Sequence, residues 1–211
     1  MRLFFGVCLE IGDEAMRKGE LTRERIIAQA APLFNTRGYA GASMQDVMEA
    51  TGLEKGGLYR HFASKEALAA EVFRYALARS VRLRTEKLDH SHGALEQLRS
   101  IVRRFVEAPS AIPGGCPLMN TAIDSDDGNA ALRGLAREGF ADWRERLCAV
   151  VREGIGSGEI RRRTEPRRIA NTMIATLEGA LMLSRMEGAK TPLEDAQESL
   201  EALFESIARK D

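Results

Sequence analysis

The residues best suited to chemistry lie in the stretch 43–66, where polar and basic side chains surround the adjacent glycines Gly56 and Gly57. Glycine is a poor helix former, but it leaves the backbone bare, so that another surface can approach it closely. The side chains beside this pair carry ammonium, hydroxyl or imidazole groups: Lys55, Tyr59, His61 and Lys65. Such groups hold phosphate oxygens, so the stretch predicts a phosphate-binding surface. For Tyr59, the alternative is packing between helices, and for His61 it is a partly buried imidazole whose hydrogen bonds are satisfied within the chain.

A cysteine at a helix start is the second candidate for chemistry. Cys116 follows Gly114 and Gly115 and precedes Pro117, which suits the first turn of a helix. The partial positive charge of a helix N-terminus stabilises a thiolate, which predicts a sensor of electrophiles or oxidants. The alternative is a small residue that fits a tight junction between loop and helix, with an ordinary or raised thiol pKa.

Helices must position these residues, because helical signals run along nearly the whole chain and no stretch alternates with the period of a strand. A first helix is predicted from Thr22, as its N-cap, onwards through Pro32. Ser43 and Asp46 then form a capping-box pattern at the start of a short helix, which ends in a turn at Gly52. A second short helix follows at once.

The stretch 43–66 therefore predicts a helix-turn-helix, whose second helix enters the major groove of DNA. Apolar residues such as Val47 and Leu58 can close a small core beneath the turn, which leaves one face of the second helix free. A long helix beginning at Ser64 is expected to be the only connection between this unit and the rest of the chain.

Composition supports a soluble globular protein. The chain has 211 residues and no net charge, but residues 16–65 carry eight basic and five acidic groups. This mildly basic segment suits a DNA-facing module without establishing one. Three scattered cysteines suit the reducing cytoplasm. The first fifteen residues leave two alternatives, an over-extended gene model with Met16 as the natural start or an additional N-terminal arm.

Residues 22–68 closely resemble the DNA-binding domain of the TetR family of bacterial regulators, through IIAQAAPLFNTRGYAGASMQDVMEATGL and KGGLYRHFASKEAL. Pro32 departs from the family's usual first helix. The resemblance implies a homodimer that binds a palindromic operator as a repressor and is released by a small-molecule or reactive effector. It implies phosphate contacts from Ser43, Tyr59, His61 and Lys65. It also implies contacts near the bases from Gln45, Lys55 and Gly56.

The predicted fold is all-α, with an N-terminal extension 1–19, a three-helix DNA-binding domain 20–66 and a helical ligand-binding and dimerisation domain 67–211. The pattern around Cys116 resembles a C-terminal subgroup of the family, some members of which respond to reactive species. Apolar, aromatic and sulfur-containing residues are the candidates for an effector pocket: Phe105, Cys116, Met119, Ile123, Phe140, Trp143, Leu147 and Met173. Each of them can equally be core, and the scarcity of charges favours an apolar or weakly polar ligand.

The last two helices, predicted at 167–187 and 193–209, are expected to form the dimer surface. Residues 169–184 of the first are apolar nearly all round, and a helix buried on more than one face needs a second partner. Two such helices from each copy make a symmetric four-helix bundle. Leu177 and Leu203 are predicted to lie in this interface.

Two alternatives to a ligand-controlled repressor remain open. One is an enzyme or helical small-molecule-binding protein with no DNA role, and the other is a nucleoid-type protein with no ligand. The sequence has no nucleophile–base pair, metal-spaced cluster or phosphate loop, so no enzymatic activity, metal or cofactor is expected. The chain has three histidines, His61, His90 and His92. The large apolar C-terminal part argues mildly against a protein that binds only DNA.

Overall fold

The computed structural model of the protein describes residues 5–85, 93–107, 110–125 and 128–209; His90 and His92 lie outside these ranges. The helices are α1 Phe5–Gly41, α2 Met44–Thr51, α3 Lys55–His61, α4 Lys65–Thr85, α5 Ala94–Glu107, α6 Pro117–Ser125, α7 Ala130–Ser157, α8 Pro166–Glu187 and α9 Thr191–Ile207. Within the described ranges there is no strand, only an isolated bridge between Ile160 and Ala208. The predicted all-α class is confirmed. No helix in the same ranges is long and apolar enough to cross a membrane.

Helix α1 begins further upstream than predicted. It starts at Phe5, and the Thr22 hydroxyl donates to the carbonyl of Lys18 at 2.8 Å from a position inside the helix. The predicted N-cap at Thr22 is therefore wrong, because the residues before it include several good helix formers. Pro32 lies within α1 without ending it, as predicted. The helical conformation breaks instead at Gly38, whose φ is 73°.

The capping box at the start of α2 is confirmed. The Ser43 hydroxyl accepts from the backbone amide of Asp46 at 3.1 Å, and the Asp46 carboxylate accepts from the backbone amide of Ser43 at 2.8 Å. The Ser43 hydroxyl also donates to this carboxylate, and Arg37 pairs with it at 2.6 Å. Hydrogen bonds from Ser43, assisted by Arg37, lower the pKa of Asp46 to about 2. The turn after α2 is confirmed as well, since Gly52 is left-handed with φ 66°.

A first apolar core holds α1 to α4 together and fixes the helix-turn-helix. We call it the N-terminal core. Its fully buried side chains come from four helices: Ile26, Ala30, Val47, Leu58 and Leu68. Phe62, just after α3, is also buried here. The guanidinium of Arg23 lies 4.5 Å from the centre of the Phe62 ring and forms an ion pair with Glu71. These contacts tie the end of α3 to both α1 and α4.

The C-terminal helices enclose two further apolar clusters. The main core lies between α5, α7, α8 and α9 and includes Leu98, Phe105, Leu147, Met173, Leu177 and Phe204. The junction core lies where α4, α6 and α7 meet and includes Ala69, Phe73, Cys116, Leu118, Leu132 and Ala136. Trp143 and Leu181 pack against both clusters, so we call the region between the clusters the seam.

Helix α4 is not the only connection between the two ends of the molecule. The side-chain amide of Asn120, on α6, donates to the carbonyl of Asn35, on α1, at 3.1 Å. It also donates to the carbonyl of Gly114 at 2.8 Å, which holds the preceding loop against α6. The backbone amide of Tyr39 donates to the carboxylate of Asp124 at 2.5 Å. The prediction of a single connecting helix is wrong, because α1 is also bonded directly to α6.

Candidate functional site

Helix α3 has one buried side and one exposed side. Leu58 and Phe62 are 0% and 2% exposed in the N-terminal core. This packing turns Lys55, Gly56 and Tyr59 outwards, onto what we call the free face of α3. Tyr59 keeps 42% of its surface exposed although its ring is large and apolar. That exposure favours a contact outside the chain over the packing alternative for Tyr59.

The two glycines of α3 have different surroundings. A Cβ atom at Gly56 would meet no atom within 4 Å, whereas one at Gly57 would lie 3.7 Å from the Leu53 side chain in ordinary contact. Neither glycine has a positive φ. The folded chain therefore requires glycine at neither position. At Gly56 the missing side chain leaves room on the free face for an outside partner.

The two predicted DNA contacts on α2, Ser43 and Gln45, are exposed but already have partners. The Ser43 hydroxyl donates to the Asp46 carboxylate at 2.6 Å, and the Gln45 amide donates to the carboxylate of Glu49 at 3.1 Å. A phosphate contact through the Ser43 hydroxyl would thus compete with the capping box. Gln45 is held along the surface of α2 by a contact one turn further on.

Lys65 and His61 lie half-buried at the junction of α3 and α4. The Lys65 ammonium is 4.3 Å from the centre of the Tyr39 ring, and the Tyr39 hydroxyl donates to the carboxylate of Glu66. Sequence reasoning did not single out Tyr39, although an aromatic residue directly after the Gly38 break was an available signal. Tyr39 thus positions a lysine that is expected to contact phosphate.

Two family models match the chain. One, described as "Bacterial regulatory proteins, tetR family", matches residues 26–72, and one, described as "Tetracyclin repressor-like, C-terminal domain", matches residues 94–200. The crystal structure of a TetR transcriptional regulator from Chloroflexus aurantiacus is 44% identical, with a TM-score of 0.87, and the match covers 92% of this chain and 100% of that one. The chain belongs to the TetR family of bacterial transcriptional regulators.

Other similar proteins are also described as transcriptional regulators. A TetR-family regulator from Cytophaga hutchinsonii is 36% identical, with a TM-score of 0.85, over 92% of this chain and 98% of that one. The transcriptional repressor DhaR of a Mycobacterium species is 26% identical over 88% of this chain and 91% of its own length. LmrA of Bacillus subtilis, a transcriptional regulator, is 28% identical over 82% of this chain and 90% of its own length. These relatives are regulators, which confirms the prediction that this TetR-family protein is not an enzyme.

The predicted effector-contacting residues of this TetR-family regulator do not all lie together. Most are within or against the two C-terminal cores: Phe105, Cys116, Met119, Phe140, Trp143, Leu147 and Met173. Ile123 is instead 65% exposed and lines a groove of about 340 Å³ between α1, α4 and α6. The structure thus separates Ile123 from the other candidates. Contact of any of these residues with an effector stays a prediction.

Cys116 lies at the start of α6, as predicted, but is 4% exposed. Burial, with a smaller contribution from the carboxylate of Glu178, raises the pKa of the Cys116 thiol to about 12. This direction is opposite to the thiolate stabilisation expected from a helix N-terminus, because desolvation outweighs the partial charge of the helix end. The alternative of a small packed residue at the junction between loop and helix fits this environment.

We expect the Cys116 thiol to resist alkylation by iodoacetamide at neutral pH, because the reactive thiolate is scarce and the sulfur is buried. Peptide-resolved mass spectrometry of the folded protein, sampled over a range of pH, measures this directly. The same peptide should be modified rapidly once the protein is unfolded, which controls for its detection. If the alkylation rate reaches half of its maximum at or below about pH 8.5, the ordinary pKa of a cysteine thiol, the expectation is wrong.

Sequence reasoning missed one further group, the carboxylate of Glu178 on α8. It is 3% exposed, and among the described residues neither of its oxygens meets a nitrogen or oxygen donor, so that its neighbour is the weak thiol donor of Cys116. Burial raises its pKa. The available signal was a single acidic residue inside the otherwise uncharged stretch 169–184. Buried carboxylates are normally paired with strong donors, whereas the neighbour of this one is a thiol, which donates weakly.

Proposed function

We propose that this chain is a ligand-responsive repressor that binds a palindromic operator as a homodimer. The observation that carries the proposal is the free face of α3, where Lys55, Gly56 and Tyr59 point away from a helix-turn-helix of the matching family. Such a face fits the major groove of DNA. Lys55 would lie near the bases, Tyr59 would contact a phosphate, and the backbone at Gly56 would lie close to the DNA. The repressor function named for DhaR supports repression over activation.

We assign DNA binding to residues 20–66 and ligand binding and dimerisation to residues 67–211, with residues 1–19 as an extension. The limits of the two family models, 26–72 and 94–200, support this division. A small molecule bound among the C-terminal helices can act on the DNA-binding helices by two routes, along α4 and through the bonds between α1 and α6. A bacterial operator as partner implies a cytoplasmic location.

An exposed apolar stripe on α8 supports the homodimer. Ala175, Gly179, Met182 and Met186 recur at helical spacing, and the two methionines are 51% and 81% exposed. We call these four residues the α8 stripe. Such a stripe on one helix suits pairing with a second copy in a four-helix bundle. Leu177 is 0% exposed inside the main core, so its predicted place in the interface is wrong.

A gel-shift experiment on the DNA upstream of the protein's own gene, with and without candidate ligands, tests the proposal. Specific retardation that a ligand abolishes is the expected result. Failure to bind any DNA specifically would favour the alternative of a helical small-molecule-binding protein. Binding that no ligand or reactive compound changes would favour a nucleoid-type protein.

We expect Lys65→Ala to weaken binding to all operator sequences about equally and to flatten the plot of log affinity against log salt concentration. Loss of one phosphate contact reduces the slope by about one unit, since one fewer counterion is released. Lys190→Ala, which removes an exposed lysine at the start of α9, should leave the slope unchanged. Fluorescence anisotropy at several salt concentrations measures both. An unchanged slope for Lys65→Ala would mean that Lys65 does not contact DNA.

A further inference from the structure

We propose that the groove between α1, α4 and α6 is the effector site, and that the effector is a small molecule that joins an apolar body to a carboxylate. This inference rests on the ligand response proposed above and gives that response a site and a ligand class. Of the residues predicted to contact an effector, only Ile123 lines this groove. The site therefore lies away from most of the residues that sequence reasoning selected.

The groove has the size and the apolar wall of a small-ligand site. Its volume of about 340 Å³ is at the lower end of the range for such sites, which begins at about 300 Å³. Its apolar wall consists of buried side chains from α4 and α7: Ala69, Val72, Phe73, Ala76 and Leu132. The N-terminal core and the junction core already fix these side chains. The wall is therefore preformed, and an apolar ligand body is stabilised by covering it.

Arg185 gives the groove a cation that can bind a ligand carboxylate. It is an exposed residue of α8, and its side chain has no ion pair or hydrogen bond among the described residues. Its guanidinium lies against the backbone of Gly115, where a Cβ atom would be 2.7 Å from one of the guanidinium nitrogens. The guanidinium is thus beside the groove, where its planar fork can donate two hydrogen bonds to one carboxylate.

The other charged side chains that line the groove already have partners. Arg37 forms the ion pair with Asp46, and the carboxylate of Asp124 accepts from the backbone amide of Tyr39. Asp124 also lies near the far end of α6, about 10 Å along the helix from the end next to Arg185. A ligand carboxylate is therefore expected at Arg185, with the apolar body extending along α6.

The groove lies between helices of the two ends of the molecule, so a bound ligand would act on the DNA-binding helices directly. Hydrogen bonds join α1 to α6 and its preceding loop beside the groove. The side-chain amide of Asn35 donates to the carbonyl of Pro113 at 2.7 Å, and that of Asn120 donates to the carbonyl of Asn35 at 3.1 Å. A ligand that inserts between α1 and α6 binds with a free energy that depends on the arrangement of these helices. Because the N-terminal core joins α1 to α2 and α3, effector and operator affinities are coupled, and the coupling is reciprocal.

The charge of the ligand is the first test. We would titrate the full-length protein, without DNA, with phenylbutyrate, phenylbutanol and phenylbutylamine by isothermal titration calorimetry. These probes share an apolar body and differ in charge. Phenylbutyrate should bind at least about fivefold more tightly than the alcohol, and the amine should bind most weakly. Equal binding of the acid and the alcohol, preferred binding of the amine, or no detectable binding of the acid would overturn the proposal.

Three variants place the probes on the molecule. Arg185→Gln should lose the preference for the acid and bind the alcohol as before. Arg168→Gln removes an exposed arginine near the start of the same helix and should keep the preference. Thr121→Trp places a bulky ring in the groove and should weaken the binding of all three probes. Thermal unfolding checks that each variant is folded, and Arg185→Gln decides the question alone if Thr121→Trp does not fold. A preference that survives Arg185→Gln, or binding that a folded Thr121→Trp leaves unchanged, would overturn the proposal.

Operator binding, measured by fluorescence anisotropy, separates this inference from the proposed function. Saturating phenylbutyrate should change operator affinity, and saturating operator should change the affinity for phenylbutyrate by the same factor. Operator binding that phenylbutyrate leaves unchanged would overturn the groove as an effector site. A protein that binds its operator but none of the probes contradicts this inference and leaves the regulator intact. A protein that binds phenylbutyrate through Arg185 but no DNA contradicts the repressor proposal and leaves the ligand site standing.

Discussion

Gly179→Arg is expected to convert the proposed dimer into a monomer and to abolish tight operator binding. Gly179 lies in the middle of the α8 stripe, and a Cβ atom there would meet no atom within 4 Å. The arginine side chain therefore fits the single protomer, whose core it does not touch. In a four-helix bundle it would place a buried, unpaired charge against the same stripe of the second copy. Because a palindrome presents two half-sites, a monomer keeps only half of the DNA contacts.

Sedimentation velocity gives the oligomeric state of this variant, and a gel shift gives its operator binding. Gly156→Arg is the matched control, since Gly156 is an exposed glycine near the end of α7 where a Cβ atom would also meet nothing within 4 Å. It should remain dimeric and bind DNA. If Gly179→Arg also remains a tight dimer, the interface lies elsewhere than on the α8 stripe.

The helix-turn-helix could be predicted from sequence because its signals are local. The capping box joins Ser43 to a residue three positions away, and the turn needs only the left-handed conformation of Gly52. The apolar positions of α2 and α3 then follow from helical periodicity. Each of these patterns fixes the local backbone conformation by itself, so the tertiary packing need not be known to predict the helix-turn-helix.

The remaining features depend on contacts between distant parts of the chain. Tyr39 is hydrogen-bonded to Glu66, and Asn35 is hydrogen-bonded to Asn120, 85 positions further along the chain. No local sequence pattern predicts either hydrogen bond. Residues 169–184 of α8 are apolar nearly all round, and periodicity alone did not separate the side facing its own core from the exposed side. The structure does so, because Leu177 is 0% exposed and Met186 is 81% exposed.

Cys116 shows how burial can reverse a local expectation. Its position at the start of α6 was read correctly, and the partial charge of a helix end does favour a thiolate. Burial in the junction core raises the pKa of the Cys116 thiol instead, and this burial depends on helices that are distant in the sequence. Glu178 escaped notice for the related reason that glutamate is usually exposed, so its burial was visible only after folding.

Gly56→Ala should separate folding from DNA binding in this TetR-family regulator. The position is helical, its φ is not positive, and open space lies where the new methyl group would go. Alanine is a better helix former than glycine, so the free energy of unfolding should rise by up to about 1 kcal/mol. Operator affinity should nevertheless fall by about tenfold or more, equivalent to about 1.4 kcal/mol, because the methyl group occupies the place of closest approach to DNA.

Gly57→Ala decides whether such a loss comes from the free face or from a general change in α3. It makes the same chemical change one residue further on, but its methyl group would point towards Leu53, at 3.7 Å, instead of outwards. Thermal unfolding should show a similar gain in helix stability for both variants. Fluorescence anisotropy should show normal operator affinity for Gly57→Ala alone. Equal losses in both variants would point to altered helix geometry, and equal retention would mean that DNA does not approach the backbone at Gly56.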